Sequence, residues 1–382
     1  MYDFEFHKPT QIIFGRGKEE EIGAVLNRDG IVKVLLVYGS RSIHKSGLLE
    51  RLKENLGRQG VVFAEFGGVV SNPVLSHTRK GIELAKSIDV EAILAVGGGS
   101  VLDEGKAIAV GAVAEADIWQ YFTGRVVTAA LPIYTILTLA ATGSEMNGNS
   151  VVTNEESSQK YSLTSPLVYP RVSILDPQLT CSVPADYSAY GAVDAIAHVL
   201  EAYFTRQPGS RLQDRMVESI IKTVMASHEV IRRHPDNYEA RAEFMWTATL
   251  ALNGLTSAGV GADSFPIHMI EQSLSALYNI AHGAGLAIVM PAWMRWYSRQ
   301  HPSQFERFAD KIFGLKGAEA GIEALEKWFQ EIGAPVRLQD AGIALADIAL
   351  IAENAAELAR LWEVDDLYPR EVIADILTLA VE

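Results

Sequence analysis

Near residue 180 the chain changes the kind of structure it can build, and that change constrains its fold more than any single motif. Upstream, apolar β-rich runs at 31–38, 92–96 and 171–175 alternate with helical stretches at 46–59 and 74–88. This is the βαβ rhythm of a parallel sheet. After Pro184 the rhythm stops, and 186–205, 209–232, 237–255, 265–279, 285–299 and 303–312 read as successive helices. Asp176-Pro177 and Val183-Pro184 interrupt the chain between the two regimes. The expectation is an α/β nucleotide-binding domain with a parallel sheet over 1–182, followed by an all-helical domain over 183–382. No internal repeat or low-complexity linker is visible.

Within the first half, Ala92-Ile-Leu-Ala-Val-Gly97-Gly98-Gly99-Ser100 reads as a buried strand followed by a tight turn. Ser100 is a good residue for a helix N-cap. Strand, glycine turn and helix start gather backbone N–H groups and a positive dipole end at one point, which suits a pyrophosphate. The spacing is not Gly-x-Gly-x-x-Gly, so a plain turn stays open as the alternative.

The second half carries two stretches with metal-ligand chemistry, Gly191-Ala-Val-Asp194-Ala-Ile-Ala-His198 and His268 through His282-Gly283. Asp194 and His198 are four apart, so on a helix they share one face. Their apolar surroundings turn that face inward, where a carboxylate needs a partner. Asp194, His198, His268 and His282 together suit Zn²⁺ or Fe²⁺ rather than Ca²⁺ or Mg²⁺. For Asp194 and His198 alone, a helix-surface ion pair is the alternative.

In order along the chain, these segments resemble the iron-containing (group III) alcohol dehydrogenases, and most closely their NAD(P)H-dependent butanol dehydrogenase and aldehyde reductase branch. The resemblance also covers Phe14-Gly-Arg-Gly17, Val37-Tyr-Gly-Ser40, Asp103 with Lys106, and Leu137-Thr138-Leu-Ala-Ala-Thr142-Gly-Ser144-Glu145. Ile332-Gly-Ala-Pro335 and Tyr368-Pro-Arg370 extend it almost to the end. It implies a dehydroquinate synthase-like architecture, with the cofactor reaching across a cleft between the halves toward the metal.

By that resemblance Gly97, Gly98, Gly99 and Ser100 would receive the pyrophosphate, with Asp103 fixing the turn. Thr138, Thr142 and Ser144 would line a second cofactor loop, Lys160 would approach the nicotinamide half, and Val151 and Leu179 would be apolar neighbours. Asp103 and Lys106 as a helix-surface pair, and core packing for Val151 and Leu179, are the plainer alternatives. Gly39, Ser40 and Arg41 follow the strand ending at Tyr38, where an acidic residue would select NAD(H). Hydroxyls and a guanidinium favour NADP(H) instead, with NAD(H) possible and a solvated basic turn as the plainer alternative. The family's name favours Fe²⁺, with Zn²⁺ possible. A homodimer is expected.

Gln272 departs from the family, which commonly has a second histidine four residues after the first. An amide donates and accepts hydrogen bonds but does not titrate near neutral pH. Gln272 is therefore the candidate catalytic residue whose chemistry differs, and proton delivery would fall to water or another group.

Composition narrows the partners. The net charge of −14 disfavours nucleic acid and anionic membranes. The single cysteine, Cys181, forbids an intrachain disulfide and fits a reducing compartment. The first residues lack a signal-peptide pattern, and no apolar run has the length of a membrane span, so the cytoplasm is expected. The substrate would be a small alcohol or aldehyde. A sugar-phosphate cyclase of the dehydroquinate synthase type and a non-catalytic nucleotide-binding protein are the rival readings.

Overall fold

The computed structural model describes residues 1–206, 210–261 and 264–381. They form two compact units: a sheet unit of His7–Val183 with His234–Thr249, and a helical unit of Met1–Phe6, Pro184–Arg233 and Leu250–Glu382.

The sheet unit contains β1 (Gln11–Phe14), β2 (Lys33–Gly39), β3 (Val62–Val69), β4 (Ala92–Gly97), β5 (Ile133–Leu137), β6 (Asn149–Asn154), β7 (Gln159–Thr164) and β8 (Val172–Leu175). Six strands form one sheet in the order β1-β8-β5-β4-β2-β3, every pair parallel. β6 and β7 make a separate antiparallel hairpin. β4 and β5 are buried at every residue, as strands covered on both faces must be.

Helices α1 (Ile22–Arg28), α2 (Ser42–Lys45), α3 (Leu48–Arg58), α4 (Leu75–Ser87), α5 (Gly99–Val113) and α6 (Trp119–Phe122) connect these strands. Leu26 of α1 and Leu52 and Leu56 of α3 share a core with Val34, Leu36, Leu94 and Ile136 on one face of the sheet. On the other face α5 comes so close that a Cβ on Gly105 would lie 2.9 Å from the Ala95 Cβ. Chain from β2 and β4 thus leaves to opposite faces, the crevice where open α/β sheets bind ligands.

The helical unit contains α7 (Ala185–Thr205), α8 (Arg211–Arg233), α10 (Pro266–Tyr278), α11 (His282–Ser298), α12 (Pro302–Phe308), α13 (Ala318–Glu331), α14 (Ile348–Leu361) and α15 (Arg370–Thr378). Between α8 and α10 runs α9 (Tyr238–Ala251), grouped with the sheet unit as far as Thr249. α7 is buried on almost all sides from Ser188 to Phe204, which makes it the core helix of this unit. Among the described residues no helix is long and apolar enough to cross a membrane.

Several expectations need correction. Ser100 is not the N-cap: α5 begins at Gly99 and is capped by Gly98, because the chain turns as soon as β4 ends. The helix expected at 237–255 stops at Ala251. That expected at 285–299 already starts at His282, and that expected at 303–312 passes into a π-turn at Ala309–Phe313. Residue 209, the expected start of 209–232, lies outside the described residues. β1, β3, β5 and the β6–β7 hairpin were not anticipated.

Candidate active site

Asp194 and His198 lie one turn apart on α7, both buried. His268 sits in the first turn of α10, and His282 opens α11. Asn279, in the left-handed conformation at φ 51°, ends α10 and turns the chain toward His282. Gly283 lets α11 approach α7, since a Cβ there would lie 2.2 Å from the Tyr190 carbonyl oxygen.

Three ring nitrogens converge on one oxygen. The Nε2 atoms of His198, His268 and His282 lie 3.4, 3.7 and 3.7 Å from Asp194 Oδ1. Donors about 2.1 Å from a shared ion at tetrahedral angles would stand about 3.4 Å apart. Asp194 Oδ1 and His268 Nε2 are buried with no hydrogen-bond partner among the described residues. Ligand atoms of Asp194, His268 and His282 all fall within 4.8 Å of one another. A dication with nitrogen and oxygen preference fits this donor set.

The electrostatics agree with such a donor set at Asp194 and His198. Burial alone would raise the Asp194 carboxyl, but the three imidazoles hold it far below the usual range. Burial pushes His198 down to about 3, so that ring is neutral, as a metal donor must be. For His268 burial opposes the charge, yet the Asp194 and Glu201 carboxylates raise it to about 9, so this ring carries a proton that a bound metal would have to displace.

In the sheet unit the glycine turn is tightly packed. Gly97 accepts the Thr138 N–H at 2.9 Å, joining the ends of β4 and β5. A Cβ on Gly99 would lie 2.4 Å from Thr142 Oγ1, so the Thr138–Ser144 loop rests directly on the turn. No side chain caps α5, and uncapped N–H groups at a helix start favour an anion.

Asp103 and Lys106 are not a surface pair. Asp103 accepts the Ser144 hydroxyl at 2.5 Å and the Val151 N–H at 3.1 Å, fastening α5 to both segments. Lys106 is fully buried and donates to Asn147 O, Asn147 Oδ1 and Asn149 O. Burial pushes its amine down to about 8 despite the Asp103 and Glu145 carboxylates. Lys160, buried on β7, donates to Asn72 Oδ1 at 3.0 Å. Leu179 packs against the core beside the sheet. Gly39 closes β2, and Ser40 and Arg41 beyond it are exposed.

The family model described as iron-containing alcohol dehydrogenase matches residues 9–177. The one described as the C-terminal part of the Fe-containing alcohol dehydrogenase family matches 188–381. The chain belongs to the iron-containing alcohol dehydrogenase family. It is 40% identical to a probable NADH-dependent butanol dehydrogenase 1 of Bacillus subtilis, covering 98% of each chain. It is 33% identical to an NADPH-dependent aldehyde reductase of Escherichia coli over 96% of this chain and 97% of that one. The crystal structure of NADH-dependent butanol dehydrogenase A from Thermotoga maritima matches with a TM-score of 0.97 at 45% identity, covering 100% of this chain and 99% of that one.

In this chain Gln272 lies one turn beyond His268, buried, with Oε1 lacking a partner among the described residues. Two further residues were missed from the sequence. Glu201 accepts from His268, and Glu271 accepts from His282. Their only signal was an acid in an apolar helical stretch: Glu201 follows His198 by three, and Glu271 precedes Gln272.

Proposed function

We propose that this protein is a metal-dependent, NAD(P)-linked alcohol dehydrogenase and aldehyde reductase, with hydride passing between nicotinamide and small primary alcohols or aldehydes. The observation that carries this reading is the convergence of three imidazole nitrogens on Asp194 Oδ1 in a chain of this family. The reading assigns dinucleotide binding to 1–182 and metal and substrate to 183–382.

When bound, the metal supplies Lewis acidity toward the substrate oxygen, and the dinucleotide supplies the hydride acceptor or donor. Asp194, His198, His268 and His282 would hold the ion. Gly97, Gly98, Gly99 and Ser100 would seat the pyrophosphate at the α5 N-terminus, with Thr138, Thr142 and Ser144 beside it and Lys160 toward the nicotinamide. Gln272 orders a hydroxyl or a water through its amide, and because it does not titrate, the alcohol proton leaves through solvent.

The reading favours NADP(H), because Ser40 and Arg41 follow β2 where an acid would repel a 2′-phosphate. Glu65 does not take that role: it accepts from the Tyr38 hydroxyl at 3.0 Å and pairs with Lys53 at 2.9 Å. Iron is taken over zinc from the family, and a cytoplasmic homodimer completes the proposal.

The test is alcohol-dependent NADP⁺ reduction by protein stripped with a chelator, then reloaded with Fe²⁺ or Zn²⁺. Turnover should vanish on stripping and return on reloading, and His282→Ala should neither bind metal nor turn over. Net NADPH formation also separates a dehydrogenase from a cyclase or a non-catalytic binder. Full turnover by stripped protein would overturn the reading.

A further inference from the structure

Two of the histidines at the metal centre are gripped from behind by glutamates that are completely buried. Glu201 Oε1 accepts the Nδ1–H of His268 at 2.8 Å, and its Oε2 accepts the Ile267 N–H at 3.3 Å. Glu271 Oε2 accepts the Nδ1–H of His282, while its Oε1 accepts the Ser275 hydroxyl. Buried carboxylates are costly unless fully paired, and apolar residues of similar size often serve stability as well. Packing alone therefore does not account for two of them here.

The surroundings are shaped to one of these carboxylates. A Cβ on Gly285 would lie 2.7 Å from both Cγ and Oε1 of Glu271, and 3.1 Å from its Cδ. Gly285 leaves the space that the Glu271 side chain fills, and Ser275 holds the oxygen that His282 does not use. His198 has no such support: its Nδ1 lacks a partner among the described residues, and the ring stacks on His268 with centroids 4.7 Å apart.

We propose that Glu201 and Glu271 are positioning residues of the metal centre, fixing His268 and His282 with the proton on Nδ1 and Nε2 turned toward Asp194. The proposal rests on the metal-centre reading above. A hydrogen bond at one ring nitrogen sets the tautomer and leaves the other as the donor. Orientation is supplied before an ion arrives, so affinity for the ion is the property these residues govern.

The experiment is Zn²⁺ binding to chelator-stripped protein by competition with a chromophoric chelator, with thermal unfolding of the stripped protein recorded alongside. Failure of the wild-type protein to take up Zn²⁺ would sink the metal-centre reading itself; given wild-type binding, the variants decide the positioning role. Glu201→Ala and Glu271→Ala should each lose about 10–100-fold in affinity. Glu201→Gln and Glu271→Gln keep an acceptor and should stay within a few-fold of wild type. They also keep the test decisive where an alanine variant fails to fold.

Gly285→Ala removes no polar group but displaces the Glu271 carboxylate, so it should lose about as much as Glu271→Ala. The double variant Gly285→Ala/Glu271→Ala should be no weaker than Glu271→Ala alone, because both changes act through one contact. Unchanged affinity in the foldable variants, Gln variants as weak as Ala, or additive losses in the double variant would overturn the proposal.

Discussion

One oxygen of Glu201 accepts both the backbone N–H and the ring Nδ1–H of His268, each at 2.8 Å. His268 is in the first turn of α10, where backbone N–H groups have no intrahelical acceptor. The same carboxylate therefore caps α10 and aims the imidazole. Helix placement and imidazole orientation are set by one contact, which ties the geometry of the candidate metal centre to the packing of α7 on α10.

Packing of α7 on α11 gives a prediction of its own. A Cβ on Gly283 would lie 2.2 Å from Tyr190 O and 2.7 Å from Tyr190 Cα, backbone that cannot rotate aside. Gly283→Ala must push the two helices apart beside Asp194 and His282. Overpacking of this kind costs about 1–3 kcal/mol. The variant should melt several degrees lower and retain less metal after dialysis, by calorimetry and elemental analysis. A wild-type Tm with full metal content would show that the helices accommodate the methyl.

The sequence made some of this legible and hid the rest for physical reasons. Asp194 and His198 could be read because four-residue spacing on an apolar helix fixes a shared inward face. The Gly97–Gly99 turn could be read because β4 is apolar throughout. β3 was obscured by its exposed positions and the glycines Gly67 and Gly68, and the β6–β7 hairpin by polar half-exposed strands joined through Glu155–Ser158. Ser100 misled because its capping preference is local, whereas the start of α5 is set by where β4 ends. Glu201 and Glu271 stayed hidden because periodicity can bury an acid without saying which histidine it meets.

Cofactor choice is tested at Arg41. Its side chain is exposed just beyond β2, and the loop carries no acid to repel a phosphate. A charge-assisted hydrogen bond to the 2′-phosphate is worth about 1.5–3 kcal/mol, or about one to two decades in kcat/KM. Arg41→Ala should lower kcat/KM for NADPH by that amount and leave NADH nearly unchanged. Equal losses with both cofactors would remove Arg41 from phosphate recognition.

A pH effect on stability is expected from His77. Its Nδ1 lies 2.6 Å from Glu104, a fully buried carboxylate, and this hydrogen bond raises the His77 pKa above its ordinary 6.5. Burial pushes the Glu104 carboxyl up as well, with His77 working against that shift. A histidine raised on folding adds stability that is complete below its unfolded pKa and is lost as pH climbs through the folded value. The stability advantage of wild type over His77→Gln should thus be largest in mild acid near about pH 6, and shrink both as the solution becomes alkaline and, as Glu104 takes up a proton, in stronger acid. Urea unfolding across that range measures it, and a gap independent of pH would rule out the pair as its source.

Substitutions at Gln272 test how much this enzyme depends on a protein group for its proton. Its Oε1 is buried and unpartnered among the described residues, so it is placed to accept a hydrogen bond from a hydroxyl or water. One such neutral bond is worth about 0.5–1.5 kcal/mol, so Gln272→Leu should lower kcat about 2–10-fold. A true general acid or base contributes about 10²–10⁴-fold, far outside experimental error. If ordering is the role of this position, Gln272→His should change kcat by less than tenfold, because Lewis acidity at a bound metal would already ease loss of the alcohol proton. A gain of a hundredfold or more in single-turnover measurements would show instead that proton transfer limits the natural enzyme and that the amide is a handicap. The two substitutions separate the roles: leucine removes the acceptor alone, and histidine restores titration while keeping a ring nitrogen that can accept.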